Sequence, residues 1–172
     1  MAQAAATVAA SPPVGALPPP PTLIDCILRD HSNTLTLFSY FFKATSLGDA
    51  AVQDMTASAL ALDLRLHSHA ETVVLYPILQ SRLGPSGAQW ATRALAEHSM
   101  IEQSIADVLA LRSVGGQALE NRMKQMQTEI IAHLAEEESQ ILPTVAAALS
   151  QVCWACAAAQ RGKPWHAWQG GP

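Results

Sequence analysis

The sequence predicts an all-α protein, an antiparallel up-down-up-down four-helix bundle. Three observations carry that expectation. Hydrophobic residues make up 49% of the 172-residue chain but aromatics only 5%; the excess is largely alanine, which with leucine favours helix over sheet. Apolar residues recur at three- and four-residue steps in four successive stretches. No stretch alternates with period two, so no sheet is expected.

Structure is expected to begin where an N-terminal proline run stops. Thr22 can cap a helix, with Asp25 as the acidic partner of a capping box. Ile24, Ile27, Leu28, His31, Leu35, Phe38 and Phe42 then trace one helical face to about Thr45, and Ser46-Leu47-Gly48-Asp49 reads as a turn. A second helix from about Ala50 carries Val52, Thr56, Leu60, Asp63, His67, Glu71 and Val74 along one line. Pro77 lacks a backbone donor, so this helix should kink or thin there before stopping at Gly84-Pro85. Ser86 can cap a third helix, whose stripe is Ala91, Ala94, Leu95, His98, Ile101, Glu102, Ile105, Val108 and Leu109; Gly115-Gly116 ends it. The fourth carries Leu119, Met123, Met126, Ile130, His133, Leu134, Glu137 and Ile141, meets Pro143, and resumes through residues 146–149. Short connections make the antiparallel arrangement the simplest.

Composition narrows the function classes. A net charge of −4 gives no electrostatic reason to expect nucleic acid. The longest apolar runs, such as Ala57–Leu62, are far too short to cross a bilayer. Three scattered cysteines do not make a disulfide framework, which fits a reducing, cytoplasmic compartment. Residues 1–21 are Ala- and Pro-rich, with no basic residue before Arg29. They read as a disordered arm, although a plastid-type leader has a similar composition. The domain proper is expected over residues 22–149, followed by a Cys- and Trp-containing tail over residues 150–172.

Polar residues inside the apolar stripes carry the chemistry, because burying a histidine or glutamate is costly unless it is paired or bound to metal. Helix two reads His67 to Glu71 to Pro77 and helix four reads His133 to Glu137 to Pro143, both with the spacing H-x3-E-x5-P. Residues four apart share a face, so each pair can offer an imidazole nitrogen and a carboxylate to one point. Helices one and three each add a histidine preceded by an acid, Asp30-His31 and Glu97-His98. His31 and His98 are 67 residues apart, while His67 to His133 and Glu71 to Glu137 each span 66. The halves therefore read as two copies of one helical hairpin. Two cations can sit astride the pseudo-two-fold axis, bridged by carboxylates and capped by imidazoles, as an N/O-ligated dinuclear site in the core.

This pattern, over roughly Leu23 to Leu149, resembles the hemerythrin-like, or HHE cation-binding, domain. The resemblance implies a four-helix bundle around two non-heme, oxo- or hydroxo-bridged iron ions. Carried over by motif, it implies His31, His67, Glu71, His98, His133 and Glu137 as ligands, with the two glutamates as bridges. The oxygen carriers of the family place a second histidine four residues after that of helix three, where this chain has Glu102. They also use His-x4-Asp on helix four, where this chain has His-x3-Glu. The match is thus closer to the iron-sensing and iron-centre-repair branches. Glu102, on the helix-three stripe, is a candidate seventh ligand; the alternative is a partly exposed glutamate hydrogen-bonded near the site. Ferritin-like di-iron oxidases use Glu-x2-His motifs and fit less well.

The functional expectation is a di-iron protein that binds or responds to dioxygen, nitric oxide or cellular iron. The alternative is a redox enzyme or iron donor using the same centre, with Cys153 and Cys156 to pass electrons or iron. His69 lies roughly 200° around the helix from His67 and should face away. Asp63 is either an acceptor orienting His67 or a solvated acid. Glu136 and Glu138 are expected on the solvated face, and Tyr76, Met123 and Met126 in core packing. The tail's tryptophans, Trp165 and Trp168 among them, are expected to dock on a partner or on the bundle. Cys153, Cys156 and His166 fall short of a closed zinc site.

Overall fold

The computed structural model describes residues 20–149, and among these the regular structure is helical throughout, with no strand. Helix α1 spans Leu23–Leu47. Its entry is the expected capping box, in which the Thr22 side chain accepts from the Asp25 backbone and the Asp25 carboxylate accepts from the Thr22 backbone N–H. The helix closes on Gly48, whose φ of 68° is the left-handed geometry that glycine adopts at no steric cost. Asp49 then caps α2, Ala50–Ala70, by accepting from the Val52 N–H at 3.0 Å.

The second helix does not thin out at Pro77. Instead α2 passes into a π turn, Glu71–Leu75, and the chain continues as α3, Tyr76–Leu111. The widened turn is closed by the Tyr76 N–H donating to the Glu71 carbonyl five residues back. Proline has no N–H and crowds the carbonyl four residues before it; a wider turn at that point accommodates the ring and keeps the helix running. The pattern recurs half a chain later. α4, Gly116–Glu136, enters a π turn, Glu137–Ile141, closed by Leu142 donating to Glu137, and Pro143 follows in a helix that runs through residues 142–149. Inside α3 the break expected at Gly84-Pro85 is one residue wide: Gly84, at φ 59° and ψ −137°, leaves helical geometry, and Pro85 restarts it.

α1 packs on α2, and α3 on α4. Buried apolar residues form two clusters. One gathers Phe38, Phe41, Leu60, Leu64, Ile105, Met123, Met126 and Ile130. The other gathers Ile27, Leu75, Tyr76, Leu79, Ala91, Ala94, Ile141, Leu142 and Val145. Along every helix a polar position falls between the two: His31 between Ile27 and Phe38, His67 and Glu71 between Leu64 and Leu75, His98 between Ala94 and Ile101, His133 and Glu137 between Ile130 and Ile141. The core is a sandwich of two apolar layers around one polar layer.

Candidate metal centre

The polar layer consists of His31, His67, Glu71, His98, His133 and Glu137, all between 1% and 8% exposed. Each reaches it on the inward face of its own helix, and the π turns begin at the two glutamates themselves. The carboxylates lie at the middle. Glu71 turns one oxygen to His67 Nε2 at 3.4 Å and the other to His98 Nε2 at 3.2 Å. Glu137 Oε2 lies 3.4 Å from His31 Nε2 and 3.7 Å from His133 Nε2. The imidazoles form two edge-on pairs, His31 with His67 and His98 with His133, both with ring centroids 5.0 Å apart. Two overlapping groups result, His31–His67–Glu71–Glu137 and Glu71–His98–His133–Glu137, each with one ligand atom per residue within 4.8 Å of the others.

These residues fit metal ions. His31 Nε2, His67 Nε2, Glu71 Oε1 and both oxygens of Glu137 are buried without a hydrogen-bond partner. Such groups cost free energy unless something satisfies them. Ligand atoms about 2.1 Å from one ion stand roughly 3.0–3.4 Å apart, the spacing most of them show. Nitrogen and carboxylate donors without thiolate suit a first-row metal.

The electrostatics agree. Burial, and then the neighbouring Glu137 charge, push the Glu71 carboxyl up to about 8. Burial and the other imidazoles push His67 down to about 4. Burial also lowers His98, against the opposing pull of Glu137 and Glu97. For Glu137, burial works against the charge, but the imidazoles of His31, His133 and His67 win and hold it low. Burial likewise opposes the charge on His31, and the nearby Glu137 carboxylate and the hydrogen bond to Glu138 outweigh it, raising the group.

A surrounding set of residues fixes the rings. His31 Nδ1 is 2.8 Å from Glu138 Oε1, and His133 Nδ1 is 2.7 Å from Glu97 Oε2. Donating from Nδ1 leaves Nε2 of each ring with its lone pair toward the centre, the usual carboxylate–histidine arrangement at metal sites. The Tyr76 hydroxyl lies 3.0 Å from His98 Nε2 and 3.5 Å from Glu71 Oε2. On the His67 side, a cavity of about 70 Å³ abuts the centre, lined by Leu23, Cys26, Ile27, Asp30, His67, Ala70, Glu71, Val74 and Leu75.

Several expectations are corrected here. Glu102 is not brought to the centre. Its carboxylate lies on the surface, where the Arg65 guanidinium grips it through Nε at 3.0 Å and Nη2 at 2.5 Å; a position between helix stripe and solvent turned outward to a nearby cation. Glu138 is not simply solvated, because it holds His31, while Glu136 pairs with Arg93 at the surface. Tyr76 is buried, as expected, yet it carries its hydroxyl into the polar layer. Asp63 accepts from the buried Thr34 hydroxyl at 2.6 Å. His69 is exposed, as its helical phase requires. The acid preceding His98 was legible in the sequence, but Glu97 serves the histidine of the neighbouring helix. Cys153, Cys156, His166 and the tail tryptophans lie outside the described residues.

A search of curated proteins and of solved structures returns no match. The family model described as the hemerythrin HHE cation binding domain matches residues 22–145. Most of the chain is covered, and the matched segment contains all six inward residues. The chain belongs to the hemerythrin HHE cation-binding domain family.

Proposed function

We propose that this chain is a non-heme di-iron protein that binds or responds to dioxygen, nitric oxide or cellular iron. In this reading residues 22–149 form one domain, whose helical rods, divided at Gly84, pack as an antiparallel up-down-up-down four-helix bundle. His31 and His67 would hold one ion and His98 and His133 the other, with Glu71 and Glu137, common to both groups, contributing to each. The observation that carries the reading is the split of Glu71, whose two oxygens address imidazoles of opposite halves. When bound and reduced, an iron pair held by these residues would supply redox chemistry toward a small diatomic molecule.

The protein's own part is positioning and exclusion. Each group offers four ligand atoms, so a bound ion that takes six would keep positions for exchangeable ligands. The 70 Å³ cavity beside His67 has room for a diatomic molecule, about two waters' worth of liquid volume, and its walls are mainly aliphatic. Across the centre, the Tyr76 hydroxyl lies 3.5 Å from Glu71 Oε2 and is placed to donate to that carboxylate and so hold it in orientation. Two apolar layers keep bulk water out and strengthen every charge interaction between them.

The test is optical. Chain purified without oxygen and loaded with ferrous iron should develop ligand-to-iron charge-transfer bands on exposure to dioxygen, and a different spectrum with nitric oxide. Bleaching on removal of oxygen supports carriage, and irreversible oxidation supports sensing or chemistry. No spectral change with either gas overturns the proposal.

A further inference from the structure

Between α3 and α4 lies a cavity of about 470 Å³, a volume that takes a small organic molecule or a pair of large side chains. Met100, Ile101 and Ala132 form its apolar wall. Arg122 and His133 both line it, and 11 residues of α4 separate them, so it runs roughly 16 Å along the helix pair. At its His133 end stands Glu97, which holds that ring at 2.7 Å. The charged lining is one-sided: Glu97, Glu129 and Glu136 face a single guanidinium, that of Arg122. Arg122 is already engaged by Asp107, and Glu136 by Arg93. With those partners counted, four acids still stand against two arginines. An occupant that fits this lining is apolar and cationic together.

One stretch of the chain has that chemistry. All 14 acidic residues and eight of the ten basic ones fall within residues 22–149, an acidic domain. Residues 150–172 contain Arg161 and Lys163 and no acid, and three of the four tryptophans, Trp154, Trp165 and Trp168. Residues 1–21 have no charged side chain and no aromatic ring, so they do not match. The reach suffices. Leu149 packs against the cluster of Ile27, Leu142 and Val145. From there Glu136 lies roughly 20 Å and Arg122 roughly 40 Å back along the helix. The 16 residues from Leu149 to Trp165 span up to about 53 Å when extended, enough for any part of the cavity.

We propose that residues 161–168 dock in the cavity between α3 and α4 of their own chain. The Trp165 and Trp168 indoles lie on the Met100–Ile101–Ala132 wall, and Arg161 and Lys163 meet the carboxylates. Docked there, the segment covers Glu97 and the hydrogen bond by which it holds His133. The tether makes a modest contact sufficient. At an effective concentration on the order of 1 mM, an intrinsic dissociation constant of about 0.1 mM keeps the segment docked roughly nine-tenths of the time. The proposal is independent of which metal the centre holds.

The test uses the full chain. With Trp165→p-benzoylphenylalanine, irradiation should join position 165 to peptides containing Met100, Ile101 or Ala132, in a product of single-chain mass. Acrylamide quenching of tryptophan emission gives a second readout. Arg161→Glu combined with Lys163→Glu is confined to the segment and leaves the helices untouched. Ala132→Phe fills the cavity from an exposed position. Each should release the segment and roughly double the quenching. Cross-links that are absent or confined to other surfaces overturn the proposal, as does quenching unchanged by either variant. A cross-linked product of twice the chain mass overturns it too, by showing that the cavity takes a second copy instead.

Discussion

At the scale of single residues, the centre is a balance between burial and charge that metal would resolve. Glu71 illustrates it. Its carboxyl is pushed up from 4.5 to about 8, so the metal-free folded chain keeps a proton that the unfolded chain gives up. The stability from that proton is complete below pH 4.5 and lost as pH rises through 8. His67 works the other way. Pushed down from 6.5 to about 4, it contributes stability that is present above 6.5 and lost as pH falls through 4. Below 6.5 the two oppose each other, so the net decline should fall between about pH 6.5 and 8. Urea unfolding of chelator-treated chain should show a loss on the order of 2 kcal/mol across that window, and Glu71→Gln should flatten it. A rise across the window contradicts the assignment.

The carboxylates behind the rings give a second prediction at this scale. Glu97→Gln and Glu138→Gln should each lower metal affinity 10- to 100-fold, measured by chelator competition, while leaving the helical spectrum unchanged. Glu102→Gln should change affinity little, because that side chain is occupied by Arg65. All six inward residues were legible from spacing: the H-x3-E repeat puts two pairs on apolar faces, and His31 and His98 recur on the other two stripes at a matching interval. Their outer partners were not. Whether Glu97 or Glu138 reaches a ring depends on the rotation of a neighbouring helix, which the periodicity of one segment does not contain. Glu102 misled for the same reason: it shares the stripe by phase, but lies at its edge, where Arg65, two residues before His67, was the nearer partner.

At the scale of elements, the Thr22–Asp25 cap and the Gly48 turn follow from local sequence and form as expected, and the helix faces follow in outline, with Leu28, Leu35, Val74 and Leu95 of the expected stripes exposed. The π turns do not follow from it. Pro77 and Pro143 announce a disturbance, but a kink, a stop and a widened turn all accommodate proline. The choice is made by the layers on either side, Leu75 and Leu79 in one repeat and Ile141 and Val145 in the other, which stay buried only if the helix continues. Just beyond the break at Gly84, Gly87 is a tight point. A Cβ there would stand 2.0 Å from the Leu79 carbonyl oxygen and 2.6 Å from its carbon, both backbone atoms unable to move aside. Gly87→Ala should cost about 2 kcal/mol or more in urea unfolding; a change below about 0.5 kcal/mol would show that this point yields.

At the scale of the whole molecule, two apolar cores are joined through a layer of groups that need a ligand. Removing metal should therefore loosen the protein as a unit rather than at one helix. With free metal at a hundred times its dissociation constant, each site adds about 2.7 kcal/mol. Chelation should then lower the melting temperature by roughly 8 °C or more. In the Glu71→Gln variant that difference should largely vanish, because both ions lose the same bridge.

The central claim is that Glu71 and Glu137 tie two ions into one centre. Mössbauer spectroscopy of chain loaded anaerobically with ferrous iron-57 and then oxidised, with iron and protein quantified in the same sample, tests it most directly. The account predicts about two irons per chain, with ferric ions coupled to a diamagnetic ground state that shows no internal hyperfine field. One iron per chain, or two ferric ions that behave as independent paramagnets in an applied field, would contradict it.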